Sequence, residues 1–216
     1  MIQIIPAILA NTPQDYKRDI EKINNSASFK KGWVHIDFMD NKFVPNKSVD
    51  PSVIKLYPTH LKKEAHLMVE HPSYPWAGDL VGLGFDRVII HVESGDDKHL
   101  EDCLAYLEDH NIETGLAINP QTPLDKLKPH LDNIDLILIM GVIPGFQSQP
   151  FQESTFARVK RASSMFNMVS VDGGVKDINA KQLALSGARI LVSGSFILNG
   201  NIDENVEKIW ESIKSP

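Results

Sequence analysis

The chain has 216 residues, of which 42% are hydrophobic and 23% charged, with a net charge of −6. That composition is ordinarily globular, supports a sizeable core and suits one domain over residues 1–216. The negative balance argues against nucleic acid or an anionic membrane surface as a partner, since both need a basic face, and no apolar run reaches the ~18 residues of a membrane span.

The first ten residues, M-I-Q-I-I-P-A-I-L-A, lack the basic start of a signal peptide and read as a strand, Ile2–Leu9. Further apolar, β-branched runs follow at Trp33–Asp37, Lys62–Met68, Arg87–Val92, Glu113–Ile118, Leu136–Met140, Met168–Val171 and Arg189–Ser193. Amphipathic stretches lie between most of them: Pro13–Asn24, Ser73–Leu83, Lys98–His110, Thr155–Met165 and Ile178–Ser186, with Asp203–Ile213 after the last. Thr12-Pro13 and Thr122-Pro123 read as N-caps followed by proline at the first helical position, while Gly84 and Gly187 read as helix C-caps. Cys103 falls in L-E-D-C-L-A-Y-L, where a buried helical thiol is expected; as the one cysteine it forms no internal disulfide, which fits the cytoplasm.

Eight units in 216 residues leave about 27 residues each, close to a minimal βα repeat. Strands apolar on both faces then predict a closed (β/α)₈ TIM barrel of α/β class. An open dinucleotide-binding sheet is disfavoured, because the first turn, Ala10-Asn11-Thr12, has no glycine.

In such a barrel, function collects at the C-terminal ends of the strands. There the sequence places His35 and Asp37 followed by Met39, then His66 and Met68, His91 and Glu93, Asn119, Met140, Asp172-Gly173-Gly174 and Gly194-Ser195. His35 and Asp37, at i and i+2 of a strand, face the same way. A lone His-x-Asp carries no weight, and a second one, His130-Leu131-Asp132, reads as loop. With His66 and Asp172 at equivalent rim positions, two imidazoles and two carboxylates suit a divalent ion such as Zn²⁺, with Fe²⁺, Mn²⁺ or Co²⁺ also suited. A metal-free hydrogen-bonded polar layer is the competing reading. Asp40 reads as a turn residue, and His91 as a satisfied buried histidine. Gly173-Gly174 and Gly194-Ser195 match the usual barrel phosphate site after strands 7 and 8, built from backbone N–H groups that leave no required role for Lys176 or Arg189. Two plain tight turns are the alternative.

The stretch H-I-D-F-M-D-N-K-F-V-P-N (35–46) together with V-D-G-G-V (171–175) resembles the ribulose-phosphate 3-epimerases, metal-dependent (β/α)₈ enzymes. I-P-A-I-L-A, A-H-L-M, I-N-P-Q-T-P, L-I-M-G-V-I-P-G-F-Q-S-Q-P-F and L-V-S-G-S extend the resemblance over almost the whole chain. It implies that His35, Asp37, His66 and Asp172 bind one metal, that Asp37 and Asp172 are the acid–base pair, and that Met39, Met68 and Met140 cap the reacting carbons. It also implies phosphate held at Gly173, Gly174, Gly194 and Ser195 under a lid containing Gly145, Phe146, Gln147 and Ser148. The expected reaction is C3 inversion of a ketose phosphate, D-ribulose 5-phosphate first, in a cytoplasmic homo-oligomer. A ketohexose 6-phosphate such as allulose 6-phosphate, or a non-catalytic phosphosugar-binding barrel, are the alternatives. Where the family commonly has S-P-S-I-L and N-P-G-F-G-G-Q, this chain has Ile5-Pro6-Ala7-Ile8-Leu9 and Ile143-Pro144-Gly145-Phe146-Gln147-Ser148-Gln149. A substrate-facing hydroxyl is thereby lost at Ala7, and two lid glycines at Gln147 and Ser148.

Overall fold

The computed structural model describes residues 2–72, 74–146 and 149–215, without the side chains of Tyr74 and Pro75. Eight parallel strands close into a barrel in chain order: β1 (Gln3–Ile8), β2 (Trp33–Met39), β3 (Lys62–Met68), β4 (Arg87–His91), β5 (Glu113–Ile118), β6 (Leu136–Met140), β7 (Val169–Asp172) and β8 (Ile190–Ser193), with β8 returning to β1. Closure removes both sheet edges. It also buries both faces of each strand, which is why apolar residues run on without alternation. Ile5, Ala7, Ile89, Leu138, Ile190 and Val192 fill the barrel interior. The outward residues, such as Ile8, Ile36, Leu67, Ile90 and Leu116, pack beneath the helices.

The helices are α1 (Pro13–Asn25), α2 (Tyr74–Gly82), α3 (Asp97–Asp109), α4 (Ser154–Ser163), α5 (Asp177–Leu185), the short α6 (Ser195–Leu198) and α7 (Ile202–Lys214). Caps set their starts. Thr12 Oγ1 accepts from the Asp15 amide at 3.1 Å ahead of Pro13, and Asp96 accepts from the His99 amide at 2.9 Å. Each satisfies a donor that the first turn leaves open.

Two crossovers run without an α-helix, and the second departs from the sequence reading. The chain passes from β2 to β3 through a 3₁₀ segment, Pro51–Leu56, and from β5 to β6 through another, Leu124–Asn133. Thr122-Pro123 therefore does not open an α-helix: Pro123 occupies the cap position and no side chain caps it. Pro129 inside that segment lacks an N–H and would clash with the preceding turn of an α-helix. His130, expected in a loop, is fully buried in the same segment. Among the described residues no helix is long and apolar enough to cross a membrane.

Candidate active site

Strand register assembles the site. Asp37 lies beside His66, His35 beside Glu64, and Met140 beside Asp172 across β2, β3, β6 and β7. Partners in neighbouring strands point to the same face, so these side chains share the barrel interior near its C-terminal mouth. One ligand atom each from His35, Asp37, His66 and Asp172 lies within 4.8 Å of all the others. Residues from β2, β3 and β7, 137 positions apart at the extremes (172 − 35), thus meet at one point.

The hydrogen bonds orient both imidazoles. His66 Nδ1 is 2.9 Å from Asp37 Oδ1 and 3.9 Å from Asp172 Oδ2, while its Nε2 faces His91 Nε2 at 2.8 Å. His35 Nε2 is 3.3 Å from the same Asp37 oxygen, and its Nδ1 donates to Glu64 at 2.6 Å. Both histidine side chains are fully buried, and Asp37 and Asp172 are only 7% and 13% exposed.

Burial acts differently on each group. It would raise the pKa of Asp37, but hydrogen bonds from His35 and His66 outweigh it and hold the carboxyl well below the usual range. For Asp172, burial and the adjacent charge of Asp37 push the value up to about 6. Burial would lower His35, yet its bonds to Asp37 and Glu64 keep it well above an ordinary imidazole. His91 is carried down to about 4 by burial.

Two carboxylates crowded with two imidazole nitrogens in a buried pocket fit a divalent cation by donor chemistry: the set is mixed N/O, and a cation would offset the carboxylate repulsion that raises Asp172. A cleft beside this cluster is lined by Ala7, Asp37, Met68, Met140, Gly145, Phe146, Asp172, Gly173, Gly174, Gly194 and Ser195. Met39, expected beside Met68 and Met140, is not among the residues lining this cleft and is buried with Met68 and Val44. Gly173 and Gly174 have φ of 96° and 70°, backbone geometry that side-chain-bearing residues rarely adopt. Gly145 is tied to the loop after β2, where Asn46 Nδ2 donates to its carbonyl at 2.8 Å. Gln149 donates to the carbonyls of Ile143 and Phe146, bracing the same segment. Gln147 and Ser148 lie outside the described residues.

Asp40 stays out of the cluster. Its carboxylate accepts from the amides of Lys42, Phe43 and Glu70, which is turn chemistry. His91 is buried and partnered, with Nδ1 3.2 Å from Glu93 and its ring stacked 4.9 Å from that of His66. Lys176 lines the cleft although the sequence assigned the anion to backbone donors. Sequence reasoning missed Glu64 and Arg87 altogether. The signal was available for Glu64, which stands two residues before His66 on the same strand and so faces the same interior.

The sequence model of the Ribulose-phosphate 3 epimerase family matches residues 3–198. The chain is 33% identical over 206 residues to the ribulose-phosphate 3-epimerase of Synechocystis sp., covering 92% of this chain and 88% of the relative. It is 32% identical over 205 residues to the enzyme of the same name from Rhodobacter capsulatus, covering 92% and 87%. Among solved structures, the 3-keto-L-gulonate-6-phosphate decarboxylase of Vibrio cholerae superposes with a TM-score of 0.72 at 13% identity, covering 99% of this chain and 96% of that one. At that identity the likeness shows the barrel fold alone.

Proposed function

The chain belongs to the ribulose-phosphate 3-epimerase family, and on that premise we propose that it inverts C3 of D-ribulose 5-phosphate to give D-xylulose 5-phosphate. The observation that carries this reading is the meeting of Asp37 and Asp172, from β2 and β7, in one buried cluster beside a glycine-lined cleft. Epimerisation needs a proton removed from one face of C3 and another delivered to the opposite face. In this proposal one aspartate takes the C3 proton as general base while the other, protonated, returns a proton from the far side. The C–H electron pair passes into the enediolate of the substrate and back to C3, and the two carboxyls end with their protonation exchanged. The reverse reaction uses them in swapped roles.

His35, Asp37, His66 and Asp172 would hold the divalent cation, zinc by preference for this mixed N/O set, with Fe²⁺, Mn²⁺ or Co²⁺ as substitutes. When bound, such an ion supplies Lewis-acid stabilisation to negative charge developing on the substrate oxygens. Met68 and Met140 present apolar surface to the cleft and keep water from the reacting carbons. The backbone at Gly173, Gly174, Gly194 and Ser195 receives the phosphate, and the small side chain of Ala7 leaves space beside it. Localisation in the cytoplasm agrees with the free, buried thiol of Cys103. Ile178 and Leu185, 84% and 72% exposed on α5, offer apolar surface for a homo-oligomer.

The test is NMR of D-ribulose 5-phosphate in D₂O with the purified, metal-loaded protein. Deuterium at C3 together with D-xylulose 5-phosphate is the expected result. No exchange at C3 would overturn the reaction, and equal kcat/KM for the phosphorylated and free sugars would overturn the phosphate site.

A further inference from the structure

Barrel interiors are ordinarily filled by layers of apolar side chains. Below the His/Asp cluster this one instead holds a file of charged groups. Register sets His35, Glu64, Arg87 and Glu113 side by side on β2, β3, β4 and β5. One oxygen of Glu64 accepts from His35 Nδ1 at 2.6 Å, and the other accepts from Arg87 Nη1 at 2.6 Å. Arg87 donates through Nε to Glu113 at 3.0 Å, and its guanidinium lies 4.0 Å from the centre of the Trp33 ring. Glu64 is fully buried and Arg87 is 6% exposed. With both oxygens engaged and Arg87 held on two further sides, the Glu64 carboxylate has no freedom to rotate.

We propose that Glu64, locked by Arg87, is the positioning residue that fixes the tautomer and ring angle of His35 and thereby sets the cation affinity of the cluster. The argument rests on the reading above that the cluster holds a divalent ion. A carboxylate is an acceptor only, so Nδ1 of His35 keeps a hydrogen toward Glu64. Nε2 is then the nitrogen turned to the cluster, 3.3 Å from Asp37 Oδ1, and the one whose lone pair a bound cation would take. The other imidazole is backed differently. His66 Nε2 meets a ring nitrogen of His91, a group that donates or accepts according to its own tautomer. Glu64 is therefore the stronger constraint of the two, and metal sites depend on such outer partners.

The test uses the full chain and measures Co²⁺ and Zn²⁺ dissociation constants by competition with a chromophoric chelator. Wild type should bind one ion per chain; if it binds none, the metal reading fails and not this inference alone. Glu64→Gln keeps the shape and loses the charge, and should weaken binding by about tenfold to hundredfold with the barrel intact by circular dichroism. Glu113→Gln removes an outer partner of Arg87 and should leave the constant within about twofold. Wild-type affinity in folded Glu64→Gln overturns the proposal. Should that variant not fold, ¹⁵N NMR of the zinc-loaded wild type decides: a proton on Nδ1 of His35 with Nε2 unprotonated supports the assignment, and a proton on Nε2 overturns it.

Discussion

The two walls of the barrel mouth are built from different materials. On the β2–β4 side the mouth is lined by side chains, and each is held by another side chain: His35 by Glu64, His66 by Asp37 and His91. On the β6–β8 side the cleft is lined by backbone, at Gly173, Gly174 and Gly194, in turns whose shape depends on the absence of a Cβ. The first wall is rigid because a buried polar network is costly to leave partly unmade. The second is shaped by sterics, because an added Cβ at Gly173 or Gly174 would meet Val142 or Phe151. Asp172 belongs to both, standing at the end of β7 immediately before the glycines while its carboxylate joins the His/Asp cluster.

Because the walls meet at Asp172, Asp172→Asn should have the largest effect. Net epimerisation should fall by about a thousandfold or more, since one face of C3 loses its proton carrier. Metal occupancy is measured alongside, as the residue is also a ligand candidate. If the metal is retained, Asp37 should still exchange the C3 proton of one epimer with D₂O without producing the other. Near-normal turnover of a metal-loaded variant would sink the two-base assignment.

Gly174→Ala probes the backbone wall. Its φ of 70° penalises any side chain, and an added Cβ would lie 3.1 Å from Phe151 Cβ and 3.2 Å from Phe151 Cα. The turn must shift, so KM for the phosphorylated ketose should rise about tenfold, equivalent to ~1.4 kcal/mol. The metal dissociation constant should stay put. If metal affinity drops in parallel with KM, the walls are not independent and the contrast fails.

The smallest expected effect lies outside both walls. Asp203, at the start of α7, accepts hydrogen bonds from Ser26 Oγ and from the amides of Ala27 and Ser28, the latter two at 3.2 and 2.8 Å. The Ser26 and Ser28 bonds hold its carboxyl below the usual range. Asp203→Asn should cost about 1 kcal/mol of stability and leave kcat and KM unchanged. A folded-state pKa below the unfolded value means that the ionised carboxylate stabilises the native state. The gap between wild type and variant should thus be full above about pH 4 and close as the pH falls further. Thermal denaturation across pH 2–7 checks this, and a gap that widens on acidification contradicts it.

Much of the architecture was legible in the chain itself. Burial on both strand faces, the caps at Thr12 and the repeat length each act over a few residues, so hydrophobic pattern and local hydrogen bonding suffice to predict eight βα units. The sequence also placed His35, Asp37, His66 and Asp172 at strand ends, because a period of two fixes which side chains share a face. It misjudged the crossover at Leu124–Asn133, where proline defeats the α-helix that Thr122-Pro123 suggests. Only the tertiary structure decided the rest. Bringing β7 against the side chains of β2 and β3 requires the barrel to close, and no local pattern encodes a contact between residues so far apart. The partnership of His35 with Glu64 has the same origin: it depends on the register between two strands, which is set by how all eight pack around one core.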